Sequence, residues 1–184
     1  LDSSRGIEGC TVQDIAAAVG IKAASLYAHY AGKEAIFAAA FGYGLEEWRR
    51  TVDEGFAEAE GIRDLGTGAA PIAARHIASM SGSIAYRFLT RVYVFPPEPM
   101  ARIGFGEAAS LDKGFSGRLR AYCASRSGLD PKDRALGGFV SSLIQFMSGV
   151  MVDSMGVPPK AAEIKAGVAL ICRGLMADKK GATR

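Results

Sequence analysis

The segment Thr11–Tyr30 reads T-V-Q-D-I-A-A-A-V-G-I-K-A-A-S-L-Y-A-H-Y, and its residue types suit recognition of a nucleic acid. Thr11 is placed to cap a helix whose first turn, Thr11–Gln13, offers backbone N–H groups and a positive dipole end to a phosphate. Gln13 can present its amide to adenine N6 and N7. Lys22, Ala23, Ala24 and Ser25 open a second short helix, the position from which base edges are read. Tyr27 and His29 carry polar tips suited to phosphate oxygens, and Lys33 adds a cation for the backbone. Taken singly each has a plainer explanation: a Thr caps any helix, Tyr27 fits a half-buried aromatic, and His29 fits a solvated surface residue. An αα-corner in an ordinary helical domain would use the same pattern.

Catalytic chemistry finds little support. No H-E-x-x-H, G-x-S-x-G, Walker loop or G-x-G-x-x-G fingerprint occurs after a strand. Two histidines, His29 and His76, leave few candidates for general acid–base work. The three cysteines, Cys10, Cys123 and Cys172, form no C-x-x-C, and Cys123 and Cys172 sit among apolar neighbours like small core residues. The sequence therefore predicts no enzyme, no catalytic residue, no metal and no cofactor.

The elements that must position these residues are helices. Of 184 residues, 49% are hydrophobic and 22% charged, with a net charge of +3, so one ordinary core can form and no partner is demanded by charge alone. Few cysteines and no visible signal peptide, in a chain starting at Leu1, predict a cytoplasmic protein. Hairpin signals are missing, and apolar residues recur at three and four spacing, which predicts an all-α chain. A capping-box spacing, Thr11 with Asp14, opens the first helix and Gly20 ends it. Small Ala16 and apolar Ile15, Val19, Ile21 and Leu26 are expected to pack it on the second helix, Ala23–Tyr30. A long helix runs from Lys33 towards Glu60. Gly61–Pro71 reads as a joint with Pro71 in the first turn of the next helix. A helix from about Arg102 to Ser127 ends at Gly128. Asp130 and Pro131 open another to about Met155, and a last helix follows Pro158-Pro159.

On these residues the chain resembles the TetR/AcrR family of transcriptional regulators. T-V-Q-D-I-A, the turn G-I, S-L-Y-A-H-Y and K-E-A-I-F match that family's pattern over about 35 residues. The resemblance implies a three-helix DNA-binding domain, of which Leu1–Gly6 corresponds only to the last turn of the first helix, so that helix is largely missing. It implies a C-terminal helical domain for ligand binding and dimerisation. It also implies a repressor released by an inducer, often acting near its own gene. The expected division is 1–48 for DNA binding and 49–184 for effector binding and dimerisation. Residues 1–50 hold five basic and six acidic side chains, so this segment as given is not basic. Its alanines can touch thymine methyls but cannot hydrogen-bond.

Ala135–Val152 carries no charge over 18 residues, but its glycines, serines and Gln145 argue against a membrane span. Small residues there, beside an amphipathic last helix, predict a homodimer interface through Ser142, Leu143, Gly149, Val150, Ile164, Val168, Ile171 and Leu175. Aromatic residues between them predict a pocket for a small hydrophobic or aromatic effector. Its candidate lining is His76, Tyr86, Phe88, Arg91, Tyr93, Phe115, Tyr122, Phe139, Gln145 and Phe146. The expected partners are thus double-stranded operator DNA, that effector and a second copy of the chain, with no membrane. The competing expectation is a dimeric DNA-binding regulator without a small-molecule effector, its cavity closed or controlled by a protein partner.

Overall fold

The structure, a computed structural model, describes the backbone of residues 9–82, 105–153 and 159–181, with side chains over 9–78, 113–150 and 159–174. Seven helices and no strand occur among the described residues: α1 Val12–Ala18, α2 Ala23–Tyr27, α3 Lys33–Ala59, α4 Leu65–Gly82, α5 Phe105–Ser127, α6 Arg134–Asp153 and α7 Ala161–Gly181. None is long and apolar enough to cross a membrane.

The long helix α3 is organised by one stripe. Phe37, Phe41, Leu45, Trp48, Val52, Gly55 and Ala59 are buried at spacings of four and three, the period of a single helix face. At 27 residues α3 extends about 40 Å. Its stripe packs on α4, which also contacts α5, α6 and α7 and so forms the hub of the body. Gly55 permits the closest approach: a Cβ there would lie 3.1 Å from the Ile72 Cα and 3.4 Å from the Pro71 carbonyl oxygen.

That crossing bears on where α4 begins. Pro71 lies inside the helix, not in its first turn. The start is set earlier by Asp64, whose Oδ1 accepts from the Thr67 N–H at 2.8 Å and the Thr67 hydroxyl at 2.6 Å. An interior proline loses one backbone bond, at a cost of about 3 kcal/mol, here offset by its position in the tight α3–α4 contact. The opening of α6 also differs from the sequence expectation. Asp130 accepts from the Lys132 N–H in a turn, and Asp133 is the residue that caps, accepting from the Ala135 N–H at 2.7 Å. Arg120 holds this loop by donating to the carbonyl oxygens of Pro131 and Asp133. Gly128, at φ +70°, ends α5 in the left-handed region as its residue type predicts.

Among the described residues one core cluster draws on all five longer helices, from Phe37 on α3 to Cys172 on α7. At its centre the Trp48 indole N–H donates to His76 Nδ1 at 3.2 Å, and the His76 ring stacks on Phe115 with centroids 4.9 Å apart. Burial pushes the His76 pKa down to about 4, so the ring is neutral near pH 7.

Candidate nucleic-acid interface

The first two helices are fixed mainly by backbone motifs. Thr11 and Asp14 form a reciprocal capping box: the Asp14 N–H donates to Thr11 Oγ1 at 3.1 Å, and the Thr11 N–H donates to Asp14 Oδ2 at 2.9 Å. The Thr11 hydroxyl also donates to that carboxylate, at 2.6 Å. Two amides at this end are therefore already satisfied, those of Thr11 and Asp14. α1 closes in a Schellman motif. Gly20 stands at φ +73°, the Ile21 N–H donates to the Ala16 carbonyl at 3.0 Å and the Gly20 N–H to that of Ala17 at 3.2 Å. This turn carries the chain directly into Lys22, the extended N-cap of α2.

The turn also changes which side chains pack. Val19 and Ile21 are 63% and 45% exposed, so they do not join the two helices as their apolar character predicts. Ala16 is buried as expected and Val12 with it, Ile15 and Leu26 are half-buried, and Ile15 rests on the main core. α2 contains no buried residue. Lys22, Ala24, Ser25, Tyr27 and His29 are exposed, as are Thr11 and Gln13; Ala23 and Lys33 are half-buried. Tyr27 is 52% exposed. Short α2 is followed at once by α3, whose first residue is Lys33.

The predicted effector-binding set is scattered. Tyr86, Phe88, Arg91 and Tyr93 lie outside the described residues. His76, Phe115 and Phe139 are buried among their neighbours. Tyr122 is half-buried, donates to the Ala59 carbonyl oxygen and reaches so close to Gly68 that a Cβ there would meet its hydroxyl. Gln145 is exposed, and the Phe146 ring lies against Gly167 on α7. The predicted dimer residues divide in the same way. Leu143, Ile164 and Val168 are buried in the protomer's own core, while Ser142 and Gly149 are exposed and Val150 and Ile171 are half-buried. Leu175 lies in the later turns of α7. Sequence periodicity missed Leu170, which is 64% exposed on α7; choosing the Ile164–Val168 face as the outer one concealed it.

Among the described residues no group of three or more His, Cys, Asp or Glu side chains could hold a metal ion. Burial raises the Cys123 thiol to about 12 and the Cys172 thiol to about 11, which leaves both protonated and unreactive at neutral pH.

Residues 2–40 match the family model for bacterial regulatory proteins of the tetR family. No curated protein matches the chain. Among solved structures, the fold is similar to that of PfmR, a TetR family transcriptional regulator from Thermus thermophilus. The TM-score is 0.67 at 19% identity, covering 92% of this chain and 88% of that one. The segment that carries the exposed helix-turn-helix thus matches the tetR-family model, and the helical body shares its fold with a TetR family transcriptional regulator.

Proposed function

We propose that this protein is a ligand-responsive repressor that binds operator DNA as a homodimer and is released by a small effector. The observation that carries the reading is α2. It buries none of its side chains, yet a capping box, a Schellman turn and the long helix α3 hold it in place. A helix so exposed and so constrained is suited to enter a major groove, with Lys22, Ala23, Ala24 and Ser25 at base edges and Tyr27, His29 and Lys33 at the backbone. Thr11 and Gln13 would approach from the neighbouring helix. In this reading residues 1–48 bind DNA, and residues 49–184 respond to the effector and dimerise.

The outer faces of α6 and α7 support the dimer. Gly138, Ser142, Gln145 and Gly149 are exposed on α6, and Leu170 on α7 is the large apolar side chain among them. Small residues allow a second copy to approach closely, and a two-fold dimer places two recognition helices about one DNA turn apart. A Cβ at Gly149 meets nothing within 4 Å, so Gly149→Arg leaves the protomer intact while placing a charge in the dimer contact. Light scattering should show a wild-type dimer at micromolar concentration and a shift of the variant to monomer. A wild-type monomer would reject this mode of assembly.

α3 is the lever of the proposed response. It starts at Lys33 beside the reading helix and ends at Ala59 in the body. An effector that tilts it changes the separation of the two recognition helices, so DNA and effector oppose each other by reciprocal linkage worth about 1–3 kcal/mol. A second reading, a dimeric regulator with no small-molecule effector, is favoured by one observation: Trp48, His76 and Phe115 fill the aromatic centre with their own rings. Thermal-shift screening followed by gel shift with each hit separates the two. Binders that release DNA support the first, and binders that leave DNA affinity unchanged support the second.

A further inference from the structure

Several cations of the helical body stand outside its ion pairs, and four of them share one place. Arg49, Arg50, Arg75 and Arg118 each meet a carboxylate on their own or a neighbouring helix. By contrast, Arg63, Arg126, Lys165 and Arg173 make no ion pair among the described residues, and all four line one cavity of about 430 Å³. They come from separate parts of the chain: the α3–α4 turn, the last turn of α5 and two turns of α7. The cavity's one lining carboxylate, Asp64, caps α4. Its hydrogen bonds from Thr67 hold its carboxyl below the usual range, so it stays ionised but directed at its own helix. The opening turn of α4 adds the positive end of an 18-residue helix.

Arg126 supplies an independent observation. Its guanidinium lies over the Tyr122 ring at 5.1 Å, and one terminal nitrogen donates to the Glu60 carbonyl oxygen at 2.5 Å. Its Nε is buried and has no acceptor. A buried donor without an acceptor is costly, and here it belongs to a residue lining a concave, cationic space.

We propose that this cavity binds a small organic polyanion through phosphate or carboxylate groups, with Arg126 donating to it from the wall and Arg63, Lys165 and Arg173 neutralising it. The volume is within the ordinary range for small-molecule sites, and guanidinium forks match both kinds of anionic group. This goes beyond the DNA-binding reading and does not depend on it, because the site lies about 40 Å along α3 from Lys33.

The test is calorimetric titration of the intact chain, without DNA, using pyrophosphate in one arm and citrate in the other, with glucose as the uncharged control. Submillimolar binding in the pyrophosphate arm assigns a phosphate ligand; binding in the citrate arm assigns a carboxylate. Lys165→Gln and Arg173→Gln alter exposed side chains and should each weaken binding about tenfold, with unchanged thermal melting showing that the fold is retained. No binding of either anion at millimolar concentration would overturn the site. So would equal affinity in the Lys165→Gln/Arg173→Gln double variant.

Discussion

Residues 9–32 bury three side chains, Cys10, Val12 and Ala16, whereas the described residues between Phe37 and Cys172 form one core cluster that includes Trp48, Ile72, Phe115, Leu119 and Leu136. The two regions are specified by different physics. In the first, local hydrogen bonds at Thr11, Asp14, Gly20 and Ile21 fix the backbone and leave the side chains of α2 outside. In the second, helices are held by apolar faces, and glycines at 55, 68 and 167 let them or their aromatic neighbours approach closely. A helix that buries none of its side chains gains little from packing, so caps and turns take over part of the work that packing does elsewhere.

Core truncation should separate the regions most strongly. Leu119 is 1% exposed, and Leu119→Ala should lower unfolding free energy by about 2–5 kcal/mol. Tyr27→Ala should stay within about 0.5 kcal/mol while weakening DNA binding. Equal denaturation midpoints for these two variants would break the comparison.

The body should also show a pH dependence of its own. Burial depresses the folded His76 pKa to about 4, below its ordinary value of 6.5, so the unfolded chain binds the additional proton between those values. Stability from this group is complete above about pH 6.5 and falls as pH drops towards 4, by about 3 kcal/mol in all. His76→Gln keeps an acceptor for the Trp48 indole and should remove that part of the slope in urea titrations at stepped pH. An unchanged slope would assign the acid sensitivity to other groups.

A smaller effect sharpens the account of the first two helices. Thr11→Ala removes half of the capping box and should destabilise α1 by about 1 kcal/mol. Hydrogen exchange should show faster opening in residues 12–18 and little change in α5 or α6. Uniform acceleration through all helices would mean that the first two helices unfold only with the body.

The same contrast explains what could be read in advance. The helix-turn-helix was legible because its signals are local: Thr11 three residues before Asp14, Gly20 at the turn and Lys33 at the next helix start. The long α3 stripe was legible because burial on one face imposes a period. The start of α4 was placed too late because Pro71 is a conspicuous helix-opening residue, while the cap was the less conspicuous Asp64-x-x-Thr67. Asp133 likewise took the capping role expected of Asp130. In the body, sequence identified apolar residues without revealing which of them fill one another's space. Thus Phe115 and Phe139 pack inward, and Val168 faces the core while Leu170 faces out. The cationic cavity draws Arg63, Arg126, Lys165 and Arg173 from across more than half the chain, and no spacing rule connects residues so far apart.

The central claim is that an exposed, locally constrained α2 reads DNA sequence, and binding-site selection with the intact chain tests it most directly. The wild type should enrich one pair of half-sites about one DNA turn apart. Gln13→Ala and Lys22→Ala should change the enriched sequence. Lys33→Ala should retain it but bind every sequence more weakly, with a salt slope lower by about one unit. No enriched sequence from the wild type, or equal losses on selected and random DNA for all three variants, would contradict the account.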